Sequence, residues 1–360
     1  MVPISVCIIT KNEEANIEKC LAPLVPYGFE IVVVDTGSTD RTKEVASKYT
    51  DKIYDFEWCD DFSAARNFSL SKASHNYILV LDSDEFLTDL DLEGMYQAIE
   101  EHPKAVGLFT RHSAYSAHGA SGCYTDQVER LFHKRYYFYK FPIHEQLTEI
   151  ASDNTIYECY SIPLSVEHVG YSGTMEALTR KAERNNNLLF KEIEKDPENP
   201  YLYFQVGQSY NLICDYENAY IYYKKAFELP LIIEEEWVQA MAISYINSMT
   251  HIGKAQEAIS FFEPYYDSFA TSASFYNSLG VAYLNSNQPL KAMMEFIKAT
   301  QCPVVHDTGS NTYLPYYNMG LVNEILGNIP SAVDFYKKCG NYPLALERLN
   351  LLESNRNQEI

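Results

Sequence analysis

Up to about residue 175 the chain alternates short β-branched runs with amphipathic stretches opened by polar caps. Ile4-Ser5-Val6-Cys7-Ile8-Ile9 predicts a strand and Glu13 to Leu24 a helix. Glu30 to Val34 predicts a second strand, nearly continuous in apolar character, as a parallel strand covered on both faces should be. The loop Asp35 to Asp40 follows, with Ser38 to Asp40 as N-caps for a helix running to Lys48. Tyr77 to Leu81 is a third strand that runs directly into Asp82-Ser83-Asp84-Glu85. The pattern is β-α-β-α-β, and open sheets of this kind bind ligands beyond the carboxyl ends of their strands. Thr10 to Glu13, Asp35 and Asp82 to Glu85 are therefore expected to line one crevice.

Beyond that point the strand signal disappears and a helical repeat replaces it. A turn residue, a small residue five later and an aromatic four beyond that recur as Cys214/Ala219/Tyr223, Gly253/Ala258/Phe262, Asn287/Ala292/Phe296 and Gly327/Ala332/Tyr336. Upstream stand the steps Val206-Gly207, Leu279-Gly280 and Met319-Gly320, with Tyr210 and Tyr283 completing two copies. A tiny residue at a helix crossing permits close approach, and the ring four positions on fills the gap on the same face. The spacing resembles the tetratricopeptide repeat, although Cys214 and Asn287 replace the usual turn glycine and Asn323 stands where a tyrosine belongs. Between the two grammars, Met175 to about Lys195 reads as one long helix that ends at Asp196-Pro197-Glu198-Asn199-Pro200. The expected organisation is an α/β domain over residues 1–174, a linker helix over 175–200 and an all-α repeat solenoid over 201–360.

The net charge of −21 opposes binding to nucleic acid or an anionic membrane. No run approaches the roughly 20 apolar residues of a spanning helix, and the apolar Ile4–Ile9 segment is too short for a signal-peptide core, so a cytoplasmic protein is expected. Eight cysteines spread over the chain without a C-x-x-C pair suit reduced thiols.

The chemistry centres on Asp82-Ser83-Asp84. Two carboxylates two apart at the end of a buried strand are costly unless positive charge sits between them. A hard cation such as Mg²⁺ or Mn²⁺, held by carboxylates and substrate phosphates, supplies that charge. The plain alternative is a turn capped by acids. Context favours the cation: Asp35 ends a second strand, Thr10-Lys11-Asn12-Glu13 ends the first, and Asp61-Phe62-Ser63-Ala64-Ala65-Arg66-Asn67 precedes the third. Neither G-x-G-x-x-G nor G-x-x-x-x-G-K-[ST] is present to compete for this sheet.

The segments SVCIITKNEE at 5–14, EIVVVDTGSTDRT at 30–42, DFSAARNFSL at 61–70 and YILVLDSDEFL at 77–87 resemble family 2 nucleotide-sugar glycosyltransferases of the GT-A fold. The resemblance implies that Thr10, Asn12 and Glu13 line the nucleotide pocket and that Asp35 accepts a hydrogen bond from the base. It places Arg66 near the nucleotide-sugar end, with an ion pair to Asp61 or Asp84 as the alternative. It sets Asp82 and Ser83 by the ribose or donor sugar, and Asp84 on the metal that bridges the diphosphate. Further along, Glu129-Arg130-Leu131-Phe132, His144-Glu145 and His168-Val169-Gly170-Tyr171 are similar to segments of sublancin-type peptide S-glycosyltransferases, which also carry helical repeats. On that similarity Glu145 is the candidate base and His168 an additional metal or phosphate ligand. A local hydrogen-bonded His-Glu pair is the alternative.

The expected activity is metal-dependent, inverting transfer of a sugar from a nucleotide-sugar, with uridine as the prior for the base, to a peptide or protein side chain. The repeats would recruit that acceptor or join two copies in a homodimer. A polysaccharide or glycolipid transferase of the same fold, and an inactive repeat scaffold, are the competing readings.

Overall fold

A computed structural model describes residues 2–117, 120–153, 155–169, 175–270, 272–302 and 309–358. Gly170 and Tyr171, which close the H-x-G-Y segment, lie outside them. The chain divides into two compact units that meet in sequence near residue 173.

The first unit runs β1 (Ile4–Thr10), α1 (Ile17–Leu21), β2 (Glu30–Asp35), α2 (Thr42–Ala46), β3 (Ile53–Asp55), α3 (Phe62–Lys72), β4 (Tyr77–Asp82), β5 (Glu85–Leu90), α4 (Leu92–Glu101), β6 (Val106–Ala117), β7 (Ala120–His133), β8 (Tyr137–Lys140), β9 (Gln146–Glu149) and β10 (Cys159–His168). Eight strands form one mixed sheet in the order β3-β2-β1-β4-β7-β6-β10-β5, and β8 and β9 pair as a separate ribbon. The β1, β2 and β4 strands are parallel, with Thr10 opposite Asp35 and Ile9 opposite Asp82. Three chain segments distant in sequence therefore end at one level of the sheet.

Successive side chains of a strand face opposite ways, and both faces here are covered. Ile4, Val6 and Ile8 pack with Ile17, Leu21, Val45, Met95 and Ile99 on the α1, α2 and α4 side. Cys7, Val32, Ile78 and Val80 pack with Leu70, Phe132, Tyr139 and Leu147 on the other. Double coverage explains the uninterrupted apolar reading of β2 and β4.

The helices differ from expectation at their ends. The predicted Glu13–Leu24 helix is α-helical only over Ile17–Leu21 and continues as a 3₁₀ segment, Ala22–Tyr27, because Pro23 and Pro26 lack the N–H an α-helical ladder needs. The helix expected to reach Lys48 stops at Ala46. The edge strand β3, paired in parallel with β2, is three residues long and too short to register in a hydrophobic pattern.

The second unit comprises α5 (Met175–Lys195), α6 (Pro200–Leu212), α7 (Tyr216–Phe227), α8 (Glu236–His251), α9 (Ala255–Phe262), α10 (Ala273–Asn285), α11 (Pro289–Gln301), α12 (Tyr313–Ile325), α13 (Ile329–Lys337) and α14 (Pro343–Gln358). All four turn positions read from the repeat have left-handed backbone, with φ of 59° at Cys214, 77° at Gly253, 57° at Asn287 and 75° at Gly327. This conformation ends one helix and redirects the chain into the next, and Asn is among the non-glycine residues that tolerate it. Ala219, Ala258, Ala292, Ala332 and the rings of Tyr223, Phe262, Phe296 and Tyr336 are fully buried.

The upstream glycines seat those rings. A Cβ on Gly207, Gly280 or Gly320 would stand 2.4, 2.5 and 2.3 Å from the ring of Tyr223, Phe296 and Tyr336 respectively. Gly320→Ala is therefore expected to destabilise the helical unit by about 1–3 kcal/mol through overpacking, more than offsetting the helix propensity gained, which is about 1 kcal/mol. A lower urea midpoint at unchanged slope would register the loss. The α5 helix packs against α6, buries Ala182, Leu188 and Leu189, and offers the Ala182 carbonyl to Ser209 Oγ at 3.3 Å, so it joins the helical stack as a packed member.

Candidate active site

The loops after β1 and β2 are tied together by side chains. Asn12, at φ 56°, donates its backbone amide to Ser38 Oγ at 2.9 Å and accepts the Thr39 amide on Oδ1 at 2.8 Å. Glu13 donates its amide to Thr42 Oγ1 at 2.8 Å, and its carboxylate accepts from Asn16 at 2.8 Å. Asn12 thus shapes the crevice as a staple between two loops.

Asp35 is 1% exposed. Its Oδ1 accepts the amides of Gly37 and Ser38 at 3.0 and 2.8 Å, while Oδ2 is buried without a hydrogen-bond partner, as is Oγ1 of neighbouring Thr10. An orphaned buried acceptor is unfavourable unless a donor completes it, and an N–H of a nucleotide base is such a donor.

The α3 motif shows why D-F-S-A-A-R-N carries its residues at that spacing. Asp61 caps the helix, accepting the Ala64 amide at 2.9 Å and the Ser63 hydroxyl at 2.7 Å. Asn67 pairs both ways with the Tyr139 backbone, at 2.7 and 2.8 Å, and so docks β8 on the helix. The Pro142 carbonyl accepts the Phe62 amide at 2.8 Å, and left-handed backbone at Phe141 and His144 turns the following loop so that Glu145 meets Arg66.

Arg66 pairs with neither Asp61 nor Asp84. Its Nη2 donates to Asp82 Oδ1 at 2.7 Å and its Nε to Glu145 Oε1 at 2.6 Å, with the guanidinium 5.4 Å from the centre of the Tyr139 ring. Arg130 Nη2 takes the second oxygen of Asp82 at 2.8 Å. Beside them, fully buried Glu85 accepts the Asp82 amide at 3.0 Å and faces Arg111 at 3.4 Å, and Arg111 also grips Asp126 at 2.6 and 3.1 Å. Burial alone would raise the Asp82 carboxyl, but Arg130 and Arg66 outweigh it and hold the group far below the usual carboxylate range. Glu85 moves the opposite way, raised by burial and by the charge of Asp82.

The positive charge at Asp82 is therefore arginine, whereas Asp84 meets no arginine at hydrogen-bond distance among the described residues. Asp84 Oδ2 lies 3.5 Å from His168 Nε2, and His168 Nδ1 lies 3.0 Å from Ser113 Oγ. The β10 strand delivers His168 opposite Glu85 and Ser113, and the Asp84 carbonyl accepts the Val169 amide at 3.2 Å. Ser83 between the acids is buried. Among the described residues no group of three or more His, Cys, Asp or Glu side chains forms a complete metal shell. One carboxylate and one imidazole nonetheless fit a cation that completes its shell with phosphate oxygens and water.

Thr10, Asn12, Glu13, Asp35, Asp82, Ser83 and Asp84 thus stand at the strand ends as expected from topology, joined by Arg66, Glu145 and His168. Glu85, expected at this crevice with Asp82, is there as well, and Arg111 and Arg130 are additional members. Arg130 stands in the Glu129-Arg130-Leu131-Phe132 segment, where its partner is not legible, and Arg111 lies within a strand, where a lone arginine signals nothing until its neighbours are known.

Residues 5–155 match Glycosyl transferase family 2, and residues 200–230 match a tetratricopeptide repeat. The chain is 30% identical over 213 residues to a TPR repeat-containing protein of Synechococcus elongatus, an alignment covering 58% of this chain and 52% of that one. It is 28% identical over 223 residues to the SPbeta prophage-derived glycosyltransferase SunS of Bacillus subtilis, covering 61% of this chain and 52% of the relative. It is also 27% identical over 169 residues to the poly(ribitol-phosphate) beta-N-acetylglucosaminyltransferase TarS of Staphylococcus aureus, covering 44% and 30%. The chain spans about half the length of the first two relatives. No helix among the described residues is long and apolar enough to cross a membrane. The N-terminal unit is thus similar to Glycosyl transferase family 2 over residues 5–155, on a chain that continues into a helical unit similar in part to the tetratricopeptide repeat.

Proposed function

We propose that the chain transfers a sugar from a nucleotide-sugar, with uridine as the favoured base, to a side chain of a peptide or protein, with inversion at the anomeric carbon. The observation that carries this reading is the pairing of Asp84 with His168 beside a clamped Asp82, which ends its strand level with Thr10 and Asp35 on the neighbouring ones. Asp84 and His168 would hold Mg²⁺ or Mn²⁺. When bound, that cation neutralises charge developing on the departing diphosphate.

The chain's own residues would do the remaining work. Asp35 and Thr10 would seat the base, and Asp82, fixed by two arginines, would receive a hydroxyl of the donor. Arg66 would keep Asp82 and Glu145 in register on either side of the donor. Glu145 is the proposed base for an attacking hydroxyl, whereas a thiol enters as thiolate and needs less help. Glu145→Gln keeps an oxygen for Arg66 but cannot take a proton. It is expected to slow transfer to Ser or Thr acceptors by about 10²-fold with the donor KM unchanged. Initial rates on matched Ser and Cys peptides check this, and an equal loss on Cys would remove Glu145 as base.

Screening UDP-glucose and UDP-N-acetylglucosamine against peptides and a ribitol-phosphate polymer, read by mass spectrometry, tests the whole proposal. Labelled peptide supports it. Labelled polymer alone would favour the second reading, an envelope-polymer transferase, for which the similarity to a poly(ribitol-phosphate) transferase speaks.

A further inference from the structure

We infer that Arg130 is a positioning residue that, together with Arg66, holds the first acid of the D-x-D motif off the cation and reserves it for the sugar donor. The inference rests on the reading of Asp84 and His168 as the cation's ligands.

Both oxygens of Asp82 are occupied by guanidinium groups, Oδ1 by Arg66 at 2.7 Å and Oδ2 by Arg130 at 2.8 Å. The two arginines come from different elements. Arg66 stands on α3, whereas Arg130 is delivered by β7, which runs antiparallel beside β4 with Leu79 opposite Leu131. Their side chains are 6% and 12% exposed, so neither is a mobile surface charge free to swing aside when a ligand enters. Arg130 also lies 3.8 Å from buried Glu85, whose own oxygen holds the Asp82 amide. The carboxylate is thus fixed in position and in charge from both its side chain and its backbone. Asp84, two residues on, has no arginine at hydrogen-bond distance among the described residues and meets an imidazole instead. Identical residue types in one motif are therefore assigned to different partners. A carboxylate saturated by two buried cations repels a third and retains the lone pairs that suit a neutral hydroxyl.

The consequence is unusual for an arginine at a metal site, because its removal should improve metal binding. Freed from Arg130, Asp82 becomes a second carboxylate available to the cation beside Asp84. Arg130→Met is expected to bind Mn²⁺ about tenfold more tightly than the unaltered protein, since charged ligand count sets affinity. It should also lose about 10²-fold in kcat/KM for UDP-glucose or UDP-N-acetylglucosamine hydrolysis, since the donor is no longer aligned. Arg130→Lys, which keeps the charge but not the fork, should fall between the two.

Mn²⁺ titration of the full chain, followed by electron paramagnetic resonance of the free ion, provides a readout independent of turnover. Asp82→Asn alone is expected to leave Mn²⁺ affinity within about threefold, whereas Asp84→Asn should weaken it by about tenfold or more. The gain in Arg130→Met should vanish in the double variant with Asp82→Asn, which leaves no buried charge of this pair uncompensated and guards against misfolding of either single variant. Weaker or unchanged Mn²⁺ binding in Arg130→Met overturns the inference, as does Asp82→Asn losing Mn²⁺ as severely as Asp84→Asn. An unaltered protein that takes up no Mn²⁺ defeats the proposed metal ligands themselves, and the inference with them.

Discussion

Asp84→Ala is expected to reduce Mn²⁺-stimulated release of UDP from a UDP-sugar by about 10²–10³-fold, the scale of losing one preorganised electrostatic partner of the leaving group. Asp84 is the acid of the motif that meets an imidazole, His168 at 3.5 Å, and under the proposed function these two side chains would hold the cation that offsets the charge of the diphosphate. The change should be largely confined to the site, because the Asp84 side chain retains partial exposure and the turn is held through its backbone carbonyl to Val169. Initial rates with and without Mn²⁺, together with unchanged thermal unfolding, separate this outcome from misfolding. Full Mn²⁺-stimulated turnover in the variant would remove Asp84 from the chemistry.

On the proposed function, a fragment of residues 1–173 is expected to hydrolyse a UDP-sugar within a few-fold of the whole chain yet transfer sugar to a peptide at least about 10²-fold more slowly, as acceptor recruitment by the repeats would require. The two units have separate cores, one around β1, β2 and β4 and the other around Tyr223, Tyr245 and Phe262. The cut belongs before α5, because a cut at residue 200 would strand the apolar face that α5 packs against α6. Matched kinetics with UDP-glucose alone and with a peptide acceptor test the division. Undiminished transfer by the fragment would assign the repeats to assembly and not to recruitment.

Much of the site was legible because topology gathers it. A β-α-β-α-β pattern requires its strand ends to coincide, so Thr10, Asp35 and Asp82 could be placed together from hydrophobic periodicity alone. The repeat was equally legible, because a left-handed turn, a buried alanine and a buried ring at fixed spacing follow from helix geometry and recur four times. Asn67 is a middle case: its place in the motif was visible, but its bond to the Tyr139 backbone was not.

Local rules thus govern what periodicity and backbone sterics decide: the strand ends gathered at the crevice, the parallel core strands and the helical stack. Partner choice among charges lies beyond them. Whether an acid at a strand end meets a metal or an arginine depends on β7, whose Arg130 lies 48 positions from Asp82, and on a loop with left-handed backbone that brings Glu145 to Arg66. Electrostatic energy in a buried cluster depends on distance and desolvation, and both exist only once remote segments have packed.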